Sequence, residues 1–509
     1  MGVFEHAGPE RLVSGGMWFL ILMLLSGVFW WSASIFISRF YGPTGYGIFN
    51  TATSMHNFAW VIVFGGISQG LMKYGSEYVA KSGWKLTGFF STALKYLTTI
   101  GIVMFILLSV IAFKISDPIM RSIVLIIAVS FLFSGTKDAL AAIIGSFQKS
   151  DQLSIINSSR ALIVCFLLIL FMFFGVPSYA LPSLIVAETA WQLGLSIYFL
   201  RHHITQLIPF NIREIFKGVQ KVRRLENLQQ FTKIFAFGMF ISLGMISFNV
   251  MKSLDIIVLK MFFDYADVGV YSVADTASSI LFYMTSFSLP VIPAIAEAYA
   301  KKDKRLLEDY VGIAIKYPVI IGVPITVIIL TMARPLIVGI YGFPFEDAVF
   351  PLQILITGTF MLMFGYNLSS ILIGMGKSKL SGILMGAAAA QYIIALFMFI
   401  PLFGFPGAAL SLTLTGFSSM LLVPYYLKKE LKISIYSGLW KVVLSAATMA
   451  AILFVIPKTD IFVIVASMVG SFALFIVLLY LFGYMTSDDF YMLRIAGGTF
   501  KDAIRKRKR

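Results

Sequence analysis

Ala93-Leu94-Lys95-Tyr96, followed by Ile100-Gly101, returns later in the chain as Ala314-Ile315-Lys316-Tyr317, followed by Ile321-Gly322. Each copy lies in an apolar run long enough to cross a hydrocarbon core of about 30 Å as a helix. Each also places one lysine about ten residues past a basic segment, roughly 15 Å along a helix. The two copies together predict a chain of membrane-spanning helices that has been duplicated.

Composition agrees. Of 509 residues, 59% are hydrophobic and only 13% are charged, whereas a soluble chain carries about 25% charged residues to cover its surface. Most of the exterior must therefore face lipid. Apolar runs occupy 14–38, 46–71, 88–113, 119–145, 154–174, 179–200, 234–259, 268–293, 311–332, 347–373, 381–401, 406–427, 439–456 and 461–483. The first is too long for a signal-peptide core and is expected to remain as helix 1. The single cysteine, Cys165, and four histidines offer neither a disulfide nor metal-ligand spacing. His56 is expected to be a hydrogen-bonded polar residue inside an apolar helix.

The net charge of +16 is concentrated in alternate loops. With both ends in the cytoplasm, most of the 40 Lys and Arg residues fall on the inner side. They form clusters at Lys73/Lys81/Lys85, in 201–233, at Lys301/Lys302/Lys304/Arg305 and in the tail after Arg494. This is the distribution the positive-inside rule predicts for fourteen spans. It reads as a rim facing anionic lipid in the cell membrane, not as a nucleic-acid surface.

Three further matches keep the order and nearly the offset of the first. Gly47-Ile48-Phe49 matches Gly269-Val270-Tyr271, Glu77 with Lys81 matches Glu297 with Lys301, and 174–181 matches 403–410. The expected fold is an all-α integral membrane protein of about 14 transmembrane helices. Two pseudo-symmetric six-helix bundles, 1–205 and 234–430, are joined by a basic linker at 206–233. A helix pair (431–485) and a basic cytoplasmic tail (486–509) follow. Six helices separate equivalent elements, which is the parallel repeat of transporters that expose a central site to each side in turn.

Charges within spans are costly, about 2.5–3.5 kcal/mol each on insertion scales, and normally face protein or water. Lys95, Lys137, Arg160, Lys252 and Lys316 are the candidate substrate-binding cations. Lys137 and Arg160 lie at similar depth on one hairpin, and Asp138 at that level can pair with Arg160. Lys252 and Asp255, spaced i,i+3, can neutralise each other. Two readings stay open: ion pairs that lock helices together, or a hydrated cationic cavity suited to a phosphate-bearing substrate. Glu188, Asp275, Asp255 and Asp138 are candidates for binding a coupling proton or sodium ion. No other cofactor is expected. Gly376-Lys377-Ser378 lacks the leading glycine of a phosphate loop, since position 371 is Ile. Short outer loops and the lack of a Ser/His/Asp arrangement argue against an enzyme.

Arg39-Phe40-Tyr41-Gly42-Pro43 with Gly45-Tyr46-Gly47-Ile48-Phe49 resembles a motif after helix 1 of polysaccharide flippases in the multidrug/oligosaccharidyl-lipid/polysaccharide exporter superfamily. Leu254 to Lys260, Val268 to Ser272 and Phe403 to Ala409 resemble further stretches of that family. The resemblance implies flipping of a polyprenyl-pyrophosphate-linked oligosaccharide between leaflets, in company with glycosyltransferases of the same route. Gly65-Gly66-Ile67-Ser68-Gln69 is similar to a stretch of the lipid II flippase family. However, Trp30-Trp31-Ser32-Ala33-Ser34 lacks the paired arginines of that family's helix 1. That family is the second reading, and an ion-coupled multidrug or metabolite antiporter is the third.

Overall fold

The computed structural model describes residues 9–81, 84–147, 149–204, 243–244, 246–282, 288–431, 438–456, 461–486 and 489. The linker expected at 206–233 and nearly all of the basic tail lie outside them. Helices α1 (Pro9–Lys81), α2 (Trp84–Phe113), α3 (Pro118–Ser146), α4 (Ser150–Phe173) and α5 (Ser183–Phe199) come first. A helix over 246–262, here α6, follows. Next are α7 (Tyr265–Ser278), α8 (Ser288–Ala300), α9 (Lys304–Ile340) and α10 (Val349–Gly374). The last four are α11 (Ser378–Phe403), α12 (Phe405–Leu431), α13 (Leu439–Val455) and α14 (Ile461–Leu481).

Ten described helices are long and apolar enough to cross a membrane, and α13 is a shorter apolar one. The 73 residues of α1 would extend about 110 Å as one rod, far more than a bilayer. The helix breaks at Gly42, whose φ of 67° suits a residue without Cβ, and Pro43 follows with no N–H to donate. Two spans result, matching the first two apolar runs. The described parts of the other apolar runs are helical but for a few turn or bend residues near their ends, so the protein is an all-α membrane protein.

The chain forms two compact units, Met1–Ser272 and Val273–Arg509. The seam falls inside α7, so α6 and the first two turns of α7 belong to the first unit. That unit is centred on Phe64, Phe90, Leu97, Phe131 and Ile143. In the second, the C-terminal helix pair α13–α14 packs on α9: Val442, Met449 and Phe475 share a core with Val311, Ile315 and Val319. Exposed apolar side chains such as Ile102, Ile106 and Val110 on α2, and Phe454 and Phe462 on the C-terminal pair, form outward faces that only lipid can cover.

Within the first unit, the repeat-related glycines meet. A Cβ built on Gly47 would run into the carbonyl oxygen of Tyr265 and lie 2.9 Å from the amide nitrogen of Gly269. A Cβ on Gly269 would run into the carbonyl oxygen of Pro43 and lie 3.0 Å from the amide nitrogen of Gly47. Gly47 pairs with Gly269 and Pro43 with Tyr265 at a single sequence offset, so the crossing of α1 and α7 has a local two-fold character. Small residues let membrane helices approach this closely. Tyr265 completes the junction, with its hydroxyl donating to Asp117 Oδ2 at 3.0 Å and the Lys260 ammonium 4.2 Å from its ring centre.

Candidate functional site

The first unit holds a polar cluster built from four helices, buried at Asp138 and Glu188 and exposed at Arg160. α3 supplies Lys137 and Asp138, and Asp138 is only 5% exposed. Its Oδ1 lies 3.1 Å from the Lys137 ammonium, and its Oδ2 accepts a 2.6 Å hydrogen bond from the Trp60 indole on α1. The same indole offers its face to Lys137, at 5.4 Å. One turn earlier on α1, His56 Nδ1 shares a 3.0 Å hydrogen bond with Ser130 Oγ of α3. α4 brings Arg160, exposed and stacked over the Trp30 ring at 5.4 Å. α5 brings Glu188, 9% exposed, whose Oε2 has no hydrogen-bond partner among the described residues.

These side chains form one electrostatic group, because Lys137 and Arg160 both act on Glu188 and on His56. Lys137 and Asp138 neutralise each other, which leaves Arg160 and Glu188 to set the net charge. With Glu188 ionised the group is neutral; with Glu188 protonated it is +1.

The predicted site residues separate into several places. Lys137, Asp138, Arg160 and Glu188 come together in this cluster. The expected Asp138–Arg160 pair does not form, because Lys137 and the Trp60 indole take both carboxylate oxygens and Arg160 stacks on Trp30. Asp255 is 2% exposed and accepts from the Tyr271 hydroxyl at 2.7 Å and from its neighbouring amide, Ile256 N, at 2.8 Å. Lys252, on the same helix, is exposed, and Asp275 on α7 is half-buried. Lys95 is exposed and shares one face of α2 with Ile102, Ile106 and Phe113, at helical spacing.

Lys316, the repeat counterpart of Lys95, is differently placed. Its ammonium forms an ion pair with Asp489, which follows the last helix. Burial pushes the Asp489 carboxyl up, but the Lys316 ammonium and the Thr486 donors outweigh it and hold the carboxyl below the usual carboxylate range. The sequence reading assigned position 489 to a basic tail and missed this acid. An intramembrane lysine without an acid in its own span was the available signal. It also missed Trp60 and Trp30, because an indole that accompanies a charge looks like any other apolar letter until the helices are packed.

The family model described as polysaccharide biosynthesis protein matches residues 12–299, and the MatE model matches 241–398. An uncharacterized membrane protein of Methanocaldococcus jannaschii is 22% identical over 86% of this chain and 87% of its own length. The solved structure of the lipid II flippase MurJ, in an inward closed conformation, superposes with a TM-score of 0.72 at 16% identity, covering 91% of this chain and 98% of that one. An inward-facing multidrug resistance MATE family transporter of the MOP superfamily gives 0.62 at 14% identity, covering 81% and 95%. The family match takes in more than half of the sequence, and it makes this chain a member of the polysaccharide biosynthesis protein family.

Proposed function

We propose that this protein is a transporter, not an enzyme, that flips a polyprenyl-pyrophosphate-linked oligosaccharide from the inner to the outer leaflet of the cell membrane by alternating access. Both termini are cytoplasmic in this reading, and glycosyltransferases of the same route supply the substrate. Family membership supports glycan export. The observation that carries the rest is the Lys137/Asp138/Arg160/Glu188 cluster, a group of charges in the first unit whose net sign depends on one proton. A pyrophosphate is the anion such a group suits, since guanidinium and ammonium donors bind phosphate oxygens through charge-assisted hydrogen bonds. Lys316 is the corresponding cation of the second unit.

The coupling ion in this account is a proton on Glu188. Protonation makes the cluster cationic and favours the anionic headgroup; release at the other face restores neutrality and lets the headgroup go. Glu188→Gln keeps the shape and fixes the neutral form. Its expected result is unchanged insertion, but a rate of headgroup appearance in the outer leaflet that no longer responds to a pH gradient and falls about tenfold below wild type under that gradient. A variant that keeps its full response would remove Glu188 from coupling. Replacing the pH gradient with a sodium gradient tests the other ion in the same vesicles.

A lipid II-type substrate is the second reading, favoured by the superposition with MurJ. Both substrates would carry the same pyrophosphate anchor, so flipping of the two headgroups compared side by side decides between them.

A further inference from the structure

Beyond α14 the chain turns back onto α9. Tyr484 and Met485 are tied to the helix end by their amides, which both donate to the Leu479 carbonyl, at 2.9 and 3.1 Å. Met485 is 3% exposed and sits in the core shared by α9, α13 and α14. Past this apolar anchor, the described residues Thr486 and Asp489 make polar contacts. Asp489 Oδ2 meets the Lys316 ammonium and accepts from Thr486 N at 2.7 Å and Thr486 Oγ1 at 3.1 Å. Oδ1 accepts from the Tyr317 hydroxyl at 3.4 Å, and the Lys316 ammonium lies 5.9 Å from the centre of the Tyr484 ring.

The segment therefore has a base fixed by packing and a tip held by charge and hydrogen bonds. The Lys316 and Asp489 side chains are 23% and 11% exposed, so the pair is not sealed from its surroundings. An anion that replaced Asp489 on Lys316 would leave Met485 and the helix pair in place. The two halves also differ here: Lys95 has no ion pair among the described residues, whereas its counterpart is met by an acid that lies outside the twelve-helix repeat.

We propose that Asp489, held by Thr486, is an autoinhibitory latch whose carboxylate occupies Lys316 and must be displaced before an anionic lipid headgroup binds there. The proposal rests on the assignment of Lys316 to an anion. It adds that the C-terminal segment sets how readily that lysine is available. A merely structural brace would have the same geometry but would not compete with an anion.

The test measures binding of farnesyl pyrophosphate to the full chain in detergent, beside its thermal unfolding. Asp489→Asn removes the competing charge and keeps the side-chain shape. The expected result is about tenfold tighter binding, equal to about 1.4 kcal/mol, and loss of that gain when Lys316→Gln is added. Asp489→Glu should bind as wild type does. Unchanged affinity in Asp489→Asn with a lowered unfolding temperature would make the contact a brace and overturn the latch, as would a gain that survives Lys316→Gln. The outcome is separable from the substrate assignment. If Asp489→Asn binds the lipid pyrophosphate more tightly but wild type flips no lipid-linked glycan, the latch stands and the proposed substrate fails.

Discussion

Gly269→Val is expected to destabilise the protein by about 3 kcal/mol, near the upper end of the ordinary cost of overpacking. At this crossing the first atom of any side chain already collides with backbone. The carbonyl of Pro43 stands where a Cβ would go, and the amide of Gly47 lies 3.0 Å behind it. Backbone cannot swing aside as a side-chain tip does, so α1 and α7 must separate. The separation would also draw Tyr265 away from Asp117, stretching the 3.0 Å hydrogen bond that joins α7 to the start of α3. Gly47→Val should cost a similar amount, because its collision with Tyr265 mirrors the first. Gly312→Ala on α9 is the control: a Cβ there meets nothing within 4 Å, and replacing a helical glycine with alanine is neutral or slightly stabilising. Thermal unfolding of the purified variants reads all three. Wild-type stability in both valine variants would mean that the helices do not cross this closely.

The second large effect is expected at Asp138. Asp138→Leu leaves the Lys137 ammonium without its counter-charge and the Trp60 N–H without its acceptor, in a place where Lys137 is 15% exposed. Breaking a buried pair from one side costs about 3–5 kcal/mol, whereas replacing both partners with apolar residues is often neutral. The double variant Lys137→Met/Asp138→Leu should therefore recover most of the stability that the single variant loses. Transport should not recover, because Arg160 is then the one cation left in the cluster to hold the headgroup, without the Lys137 ammonium beside it. Recovery of both properties would assign the pair to packing alone. Recovery of neither would mean that Trp60 and its neighbours depend on the charges for their arrangement. The comparison of single and double variants isolates the pairwise term.

Much of the architecture was legible because lipid imposes it. Each apolar run had to be a helix, since a bilayer offers the backbone no other partners, and the gap between the runs 14–38 and 46–71 contains the break in α1. Depth was also legible: rise per residue placed Lys137, Asp138, Arg160 and Glu188 within spans, and α3, α4 and α5 bring them together. Rotation about the helix axis was less so. Lys95 had its depth read from sequence but not its direction, although its spacing to Ile102, Ile106 and Phe113 carried the information. The partner of Asp138 was misjudged for a related reason. Adjacent residues on a helix usually point apart, and only the indole of Trp60, approaching from α1, makes a pair with Lys137 favourable. Gly47 and Gly269 were aligned as repeat equivalents, yet alignment does not say that equivalents touch. Asp489 was hidden by its neighbours, one of three acids in a segment read as a basic tail.

The most direct test of the account places the purified protein in vesicles with a polyprenyl-pyrophosphate-linked oligosaccharide confined to one leaflet. An impermeant glycosidase or lectin then follows the sugar's arrival on the other side under an imposed pH gradient. Gradient-dependent arrival is expected with the wild-type chain, and near-background arrival with Lys137→Met/Asp138→Leu, though that variant remains folded. Equal arrival with both proteins, or none with the wild type, would contradict it.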